Sequence, residues 1–187
     1  MNKTVLISTL LSLTLLNAAT IQEVKEEAKT AIVKLKTTLE KQLKKNIKKG
    51  GLEQAAIFCS TQAVDLTHSV NISFANDTNI RRISLKHRNS ENSPKSDEKQ
   101  VLQDIQKAHD DGKAIEPLIV KKIYDDTYKV YKAIFIDKEV CLKCHGDITK
   151  REKNAYKIIQ KHYPHDKATD YKMGDLRGAF VVTIVKK

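Results

Sequence analysis

The chain has 187 residues and a formal net charge of +11, which predicts one domain, or one domain with a helical extension. The charge alone would suggest nucleic-acid binding, but the chain starts with the features of an export signal, so we expect no nucleic-acid partner. We interpret the charge as a solvated, lysine-rich surface. A patch for an acidic redox partner or for anionic lipid is the alternative.

Residues 1–19 resemble a secretory signal peptide. Lys3 provides a short positive region, residues 5–16 form an apolar run, and Ala18 and Ala19 offer a cleavage site. The run is short for a membrane span, so an uncleaved anchor is the minor alternative. We therefore predict a single mature domain over residues 20–187, located in the periplasm or an equivalent compartment, without stable membrane insertion.

Two helices are predicted next. Apolar residues recur at three- and four-residue spacing over residues 21–47, which indicates a long amphipathic helix that ends at Gly50-Gly51. We expect it to pack on its own sheet; pairing with a second copy is the alternative, so a monomer or weak dimer is expected. A second helix is predicted over residues 52–69. Its apolar stripe contains Cys59, with an alanine one turn away on each side, which leaves room for a flat group.

The remainder of the chain predicts an α+β domain with an antiparallel sheet, because helices are followed by strands and short hairpins. The last strand consists almost entirely of β-branched and apolar residues, which favours a central position in the sheet. The predicted elements are a strand over residues 80–86, a loop over 87–96, a helix over 97–109, a hairpin of strands 118–124 and 128–136, and a final strand over 179–185.

Cys141, Cys144 and His145 form the motif that attaches c-type haem. Two thiols three positions apart on a helical turn can each add across a haem vinyl group, and the following histidine is the proximal iron ligand. The export signal supports this interpretation, because haem is attached to such cysteines outside the cytoplasm. A zinc or redox-dithiol site is the alternative, and coincidence is the least favoured. We predict one covalently attached haem c on a short helix.

Several segments taken together resemble a family of exported c-type haem-binding domains with a PAS-like fold. The resemblance implies an antiparallel sheet of about five strands, long N-terminal helices and one covalently bound haem, in free-standing exported proteins or in sensor domains. Ser90 and Asp170 stand where the family usually has proline and glycine. The matching segments are Gly50-Gly51, Ile57-Phe58-Cys59-Ser60, Ser84-Leu85-Lys86-His87-Arg88-Asn89, Cys141-Leu142-Lys143-Cys144-His145-Gly146 and residues 163–180.

The resemblance also implies that His145 and Cys59 are the two axial ligands of the iron. A thiolate is an electron-rich donor that favours ferric iron and lowers the reduction potential. The alternative for Cys59 is a small buried packing residue, and Met173 would give a higher potential. The remaining candidates for the second ligand are His68, His87, His162 and His165.

The two haem propionates need cationic partners, and Lys86, Arg88 and Arg177 are the candidates. Arg177 could equally form a structural pair with Asp175 or Asp166. The aromatic residues expected to line the haem pocket, with core packing as the alternative, are Tyr163, Tyr171 and Phe180.

The leading functional hypothesis is a periplasmic monohaem protein that senses redox state or a small ligand. In this hypothesis Cys59 leaves the iron on reduction or protonation and frees the 52–69 helix, which reports to a separate redox or signalling protein. A periplasmic electron-transfer cytochrome c is the alternative. We do not expect an enzyme, because the sequence offers no convincing distal acid–base set.

Overall fold

The computed structural model describes residues 5–74 and 77–186, and of residues 5–20 it describes the backbone alone. The predicted signal peptide, residues 1–19, lies outside the part described in full. No helix among the described residues combines the length and apolarity that a bilayer span requires. The elements are α1 (Val5–Thr61), α2 (Ala63–Ile72), β1 (Thr78–Ile83), a 3-10 helix (Ser90–Asn92), α3 (Ser96–Asp110), β2 (Ile119–Lys122), β3 (Thr127–Phe135), α4 (Glu139–His145), α5 (Lys153–His162) and β4 (Leu176–Val185).

The first helix is broken at Gly50 and Gly51, as the sequence predicts. Gly51 has a φ of 66°, in the left-handed region that glycine adopts without steric cost. The second predicted helix, residues 52–69, is itself divided: it is interrupted at Gln62 and continues as α2. Residues 52–61 therefore form a short helical segment with a backbone irregularity at each end.

The sheet has four antiparallel strands in the order β1-β4-β3-β2. β4 is central, as its apolar sequence predicts, and β2 and β3 form the predicted hairpin. The α+β class with an antiparallel sheet is confirmed. About five strands are expected and four lie in the described part of the chain, where turns and a short 3-10 helix connect β1 to α3.

Helices cover both faces of the sheet, and the alternation of side chains along β4 explains why. Phe180 and Val182 point to one face, where they pack with Leu35 and other buried residues of α1. Val181 points to the opposite face, where it packs with Leu102 of α3. The prediction that the long helix packs on its own sheet is confirmed.

Glu98 attaches α3 to the sheet. Its carboxylate, 2% exposed, pairs with Arg81 of β1 and lies 3.1 Å from Nζ of Lys129 of β3. It also accepts a hydrogen bond of 2.8 Å from the backbone N–H of Lys95. Because two cations and a backbone donor compensate this buried charge, α3 has a fixed position beside the sheet.

Candidate functional site

The Cys-x-x-Cys-His motif lies on α4, a short helix, as predicted. Cys141, Cys144 and His145 line one cavity, which encloses about 1050 Å³ including its open mouth. Residues from both sides of the α1 break contribute to its walls. The other lining residues that bear on its chemistry are Cys59, Arg82, Arg88, Tyr163 and Arg177.

A backbone carbonyl orients the imidazole of His145. Its Nδ1 lies 2.8 Å from the carbonyl oxygen of Ala168 and 3.3 Å from Nη2 of Arg88. The shorter contact is to an oxygen that can only accept, so it assigns the proton to Nδ1. This tautomer leaves Nε2 free as a metal ligand. Burial lowers the pKa of His145 well below its ordinary value, and the charges of Arg177 and Arg88 lower it further. The ring is therefore neutral at physiological pH, as ligation requires.

The end of the motif helix is fixed by hydrogen bonds to its last carbonyls, which have no partner within a helix. The carbonyl of Cys144 accepts a hydrogen bond from Nη2 of Arg88 at 2.7 Å. The carbonyl of His145 accepts from the N–H of Tyr171 at 3.0 Å, and that of Gly146 accepts from the N–H of Asp170 at 3.1 Å. Asp170 has a φ of 61°, a left-handed conformation that aspartate tolerates. This agrees with the glycine usual at that position in the family.

Asp166 holds Arg88 and Ala168 in position beside the motif helix. Its Oδ2 lies 3.0 Å from Nε of Arg88, in a pair whose side chains are 2% and 11% exposed. Its Oδ1 accepts a hydrogen bond of 2.8 Å from the N–H of Ala168. One buried carboxylate thus positions both the arginine that holds Cys144 and the residue that orients His145.

The three cationic side chains predicted to bind the haem propionates lie in different surroundings. Arg88 lines the cavity but is paired with Asp166. Arg177 also lines it and donates to Oγ of Ser84 at 2.9 Å. The alternative pairing of Arg177 with Asp175 or Asp166 is not found among the described residues, since Asp166 pairs with Arg88. Lys86 lies outside the lining and donates to a backbone carbonyl at 2.5 Å.

The three aromatic residues predicted to line the haem pocket also lie in different places. Tyr163 lines the cavity, and its hydroxyl donates to the carbonyl of Ser60 at 3.3 Å. Tyr171 lies behind His145 instead, with its ring edge-on at a centroid distance of 6.2 Å. Phe180 belongs to the core beneath α1, because strand alternation directs it to that face of the sheet.

Cys59 is exposed at the cavity and does not pack in a core, so the structure does not favour the packing alternative. Although the thiol faces the cavity, the protein atoms around it displace much of its water, which raises its pKa, and the charges of Arg82 and Arg88 oppose that effect. Met173 is 43% exposed in a loop. In the described structure none of the other candidate ligands lines the cavity, and these are Met173, His68, His87, His162 and His165.

Two features of the site are absent from the sequence predictions. Arg82 lines the cavity, and its Nε is buried without a hydrogen-bond partner among the described residues.

The second feature is α5, which packs against the 52–61 segment: Ile159 and Ala155 of α5 contact Ala56 of the segment. The sequence feature that could have predicted α5 is its N-cap residue, Glu152, whose side chain accepts hydrogen bonds from two backbone N–H groups of the first turn.

Fold and site together define an α+β domain with a Cys-x-x-Cys-His helix in the wall of a cavity. The chain belongs to the Tll0287-like family, whose model matches residues 17–185, and the family resemblance is thereby confirmed. A solved structure, the crystal structure of the cyanobacterial heme-protein Tll0287, is similar with a TM-score of 0.63 and 23% identity over 88% of this chain and 96% of that chain. This likeness shows a shared fold. No curated protein matches.

Proposed function

We propose that the protein binds one haem c, attached covalently through Cys141 and Cys144, with His145 as the proximal ligand. The observation that carries the proposal is that both thiols and a neutral imidazole, oriented by a backbone carbonyl, line one cavity. The similar structure is that of a heme-protein, which supports the same cofactor. The bound group would supply a redox-active iron.

The cationic lining of the cavity fits this group. Nε of Arg82 is buried and unpartnered among the described residues, and a buried donor of this kind calls for an acceptor. Arg177 also lines the cavity and makes no ion pair with a carboxylate in the described structure. Carboxylates such as the haem propionates would provide acceptors for both guanidinium groups.

We propose Cys59 as the second iron ligand. It approaches the cavity from the 52–61 segment, whereas His145 approaches it from α4, so the two ligands come from different elements. Burial raises the pKa of the Cys59 thiol, the charges of Arg82 and Arg88 oppose that effect, and a bound iron would stabilise the thiolate. A ligand pair of this kind would tie the position of the 52–61 segment to the state of the iron.

The function that follows is that of an exported redox or small-ligand sensor. The 52–61 segment lies between the break at Gly51 and the interruption at Gln62, so it can move if Cys59 leaves the iron on reduction. A separate redox or signalling protein would read that movement. We place the protein in the periplasm and propose no enzymatic role, because the described lining residues include no carboxylate and no imidazole except that of His145.

Electron transfer is the second candidate function. The net charge of +11 favours it, since a lysine-rich surface steers a redox protein to acidic partners. An electron carrier keeps both iron ligands in both oxidation states, whereas the proposed sensor does not.

Covalent attachment is tested by the mass of protein exported from a host that matures c-type haem. We expect the mass of one haem on the intact chain, retained under denaturing conditions. The double variant Cys141→Ala with Cys144→Ala should lose it, because no thiol then remains at the motif. The control Cys59→Ala should keep the haem covalently bound. Recovery of the wild-type chain with free thiols or with zinc would contradict the proposal.

Amide hydrogen exchange distinguishes the sensor from the electron carrier. If reduction releases Cys59, exchange in residues 52–61 should accelerate by about tenfold or more, because the segment loses an anchor between two irregular ends. Exchange in α3 serves as the internal control and should not change. Equal exchange in the ferric and reduced proteins would favour the electron carrier.

A further inference from the structure

A second cavity lies next to the first, and Arg177 lines both. It encloses about 680 Å³ including its open mouth, between the loop that follows β1, helix α3 and the start of β4. Its polar lining consists of Ser84, Lys86, Gln106, Tyr171, Asp175 and Arg177. Lys86 and Tyr171 are predicted to contact the haem, but the structure places them here.

Two cations converge in this cavity on a single aromatic ring. Nζ of Lys86 lies 4.5 Å and Cζ of Arg177 lies 5.5 Å from the ring centroid of Tyr171. Lys86 donates to a backbone carbonyl, and Arg177 donates to a hydroxyl and a backbone carbonyl. Neither forms an ion pair in the described structure, in contrast to Arg88, which pairs with a buried aspartate.

The lining contains one carboxylate, that of Asp175, and its Oδ2 already accepts the N–H of Lys172 at 2.7 Å. Two cationic side chains against one carboxylate leave an excess positive charge in a partly enclosed space. Electrostatic attraction is stronger there than in open water, so the cavity favours an anion. The planar guanidinium of Arg177 favours a carboxylate, to which it can donate two parallel hydrogen bonds.

The rest of the described lining is apolar and consists of Leu85, Leu102, Leu176 and Gly178. Leu102 is fully buried and belongs to the core beneath α3. We propose that this cavity binds a short-chain carboxylate, with its head group on Lys86 and Arg177 and its hydrocarbon chain against Leu85 and Leu176. Because a guanidinium group has five N–H donors, Arg177 can bind a haem propionate in the first cavity and this ligand in the second.

The position of the cavity connects it to the first one. Arg177 lines both cavities, and Tyr171 lies edge-on to the ring of His145. A carboxylate that draws the two cations towards it therefore changes the electrostatic environment of His145. The holoprotein would then respond to this ligand without its binding to the iron.

Isothermal calorimetry on the haem-loaded protein tests the proposal with butyrate, acetate and the neutral isostere butyramide at constant ionic strength. We expect butyrate to bind, acetate to bind about tenfold more weakly because it buries two fewer methylene groups, and butyramide not to bind. Lys86→Gln should weaken butyrate binding at least about tenfold, whereas Asp175→Asn should strengthen it, since it removes the one negative charge found among the described lining residues. The exposed Lys161→Gln on α5 is the matched control and should not alter the affinity.

Several results would overturn the assignment. Equal binding of butyrate and butyramide would show that the charge is irrelevant, and displacement by chloride at the same concentration would indicate a non-specific ion site. An unchanged affinity in both Lys86→Gln and Asp175→Asn would place the ligand elsewhere. Binding by the haem-free Cys141→Ala, Cys144→Ala variant but not by the holoprotein would assign the cavity to the haem propionates.

Discussion

Replacing Asp166 with asparagine is expected to lower the free energy of unfolding by about 3 kcal/mol, because it leaves the buried guanidinium of Arg88 without its counter-ion. Asparagine keeps an oxygen that can accept from the N–H of Ala168, so the substitution mainly tests the charge. Urea unfolding followed by circular dichroism measures the change. We also expect a disturbed iron environment, since Arg88 holds Cys144 and Ala168 orients His145.

Asp170→Asn is the matched control, in the same loop but on an exposed side chain that makes no ion pair in the described structure. It should change the free energy by less than about 0.5 kcal/mol, because asparagine also tolerates a left-handed backbone. Replacing the buried pair by Arg88→Met with Asp166→Leu should cost less than Asp166→Asn alone, since neither charge remains buried. Equal losses of unfolding free energy for Asp166→Asn and Asp170→Asn would show that the Arg88–Asp166 ion pair does not stabilise the fold.

Gly178→Ala should lower the free energy of unfolding by about 3 kcal/mol or more, through overpacking and backbone strain together. A Cβ at this position would lie 2.2 Å from the carbonyl oxygen of Ile83, and the φ of 153° disfavours a side chain. The obstructing atom belongs to the backbone of β1, so the pairing of β1 with β4 must shift. That shift would also displace the neighbouring Arg177 from both cavities.

Gly174→Ala controls for backbone strain alone. Gly174 has a φ of 86° but no atom within 4 Å of an added Cβ, so we expect a loss of about 1–2 kcal/mol. Thermal and urea unfolding of both variants measure the difference. A loss at Gly178 no larger than that at Gly174 would show that the close approach to Ile83 is not a constraint.

The features that the sequence predicts correctly are carried by local patterns. The helix break depends on Gly50-Gly51, the motif helix on the spacing of Cys141 to His145, and the central position of β4 on its own apolar run. Each of these three features is indicated by a short stretch of neighbouring residues. The residues that line the first cavity around the motif could be anticipated in part, because the family resemblance already pairs Cys59 with the motif.

The contacts that the sequence does not predict join residues far apart in the chain. Arg88 and Asp166 are separated by 78 positions, and nothing in either segment identifies the other as its partner. Arg82 lies on a strand whose alternation does not show that its side chain reaches a cavity. The interruption at Gln62 falls within a continuous apolar stripe, without the glycine or proline that would indicate it.

In the function proposed above, the first cavity holds a haem between His145 and Cys59. The most direct test compares ferric and dithionite-reduced absorption spectra of haem-loaded wild type and Cys59→Ala. We predict thiolate charge-transfer bands in the ferric wild type and their loss in the variant, with haem still covalently attached in both. Identical ferric spectra for wild type and Cys59→Ala would remove Cys59 from the iron, and a wild-type protein without a haem spectrum would contradict the proposed function as a whole.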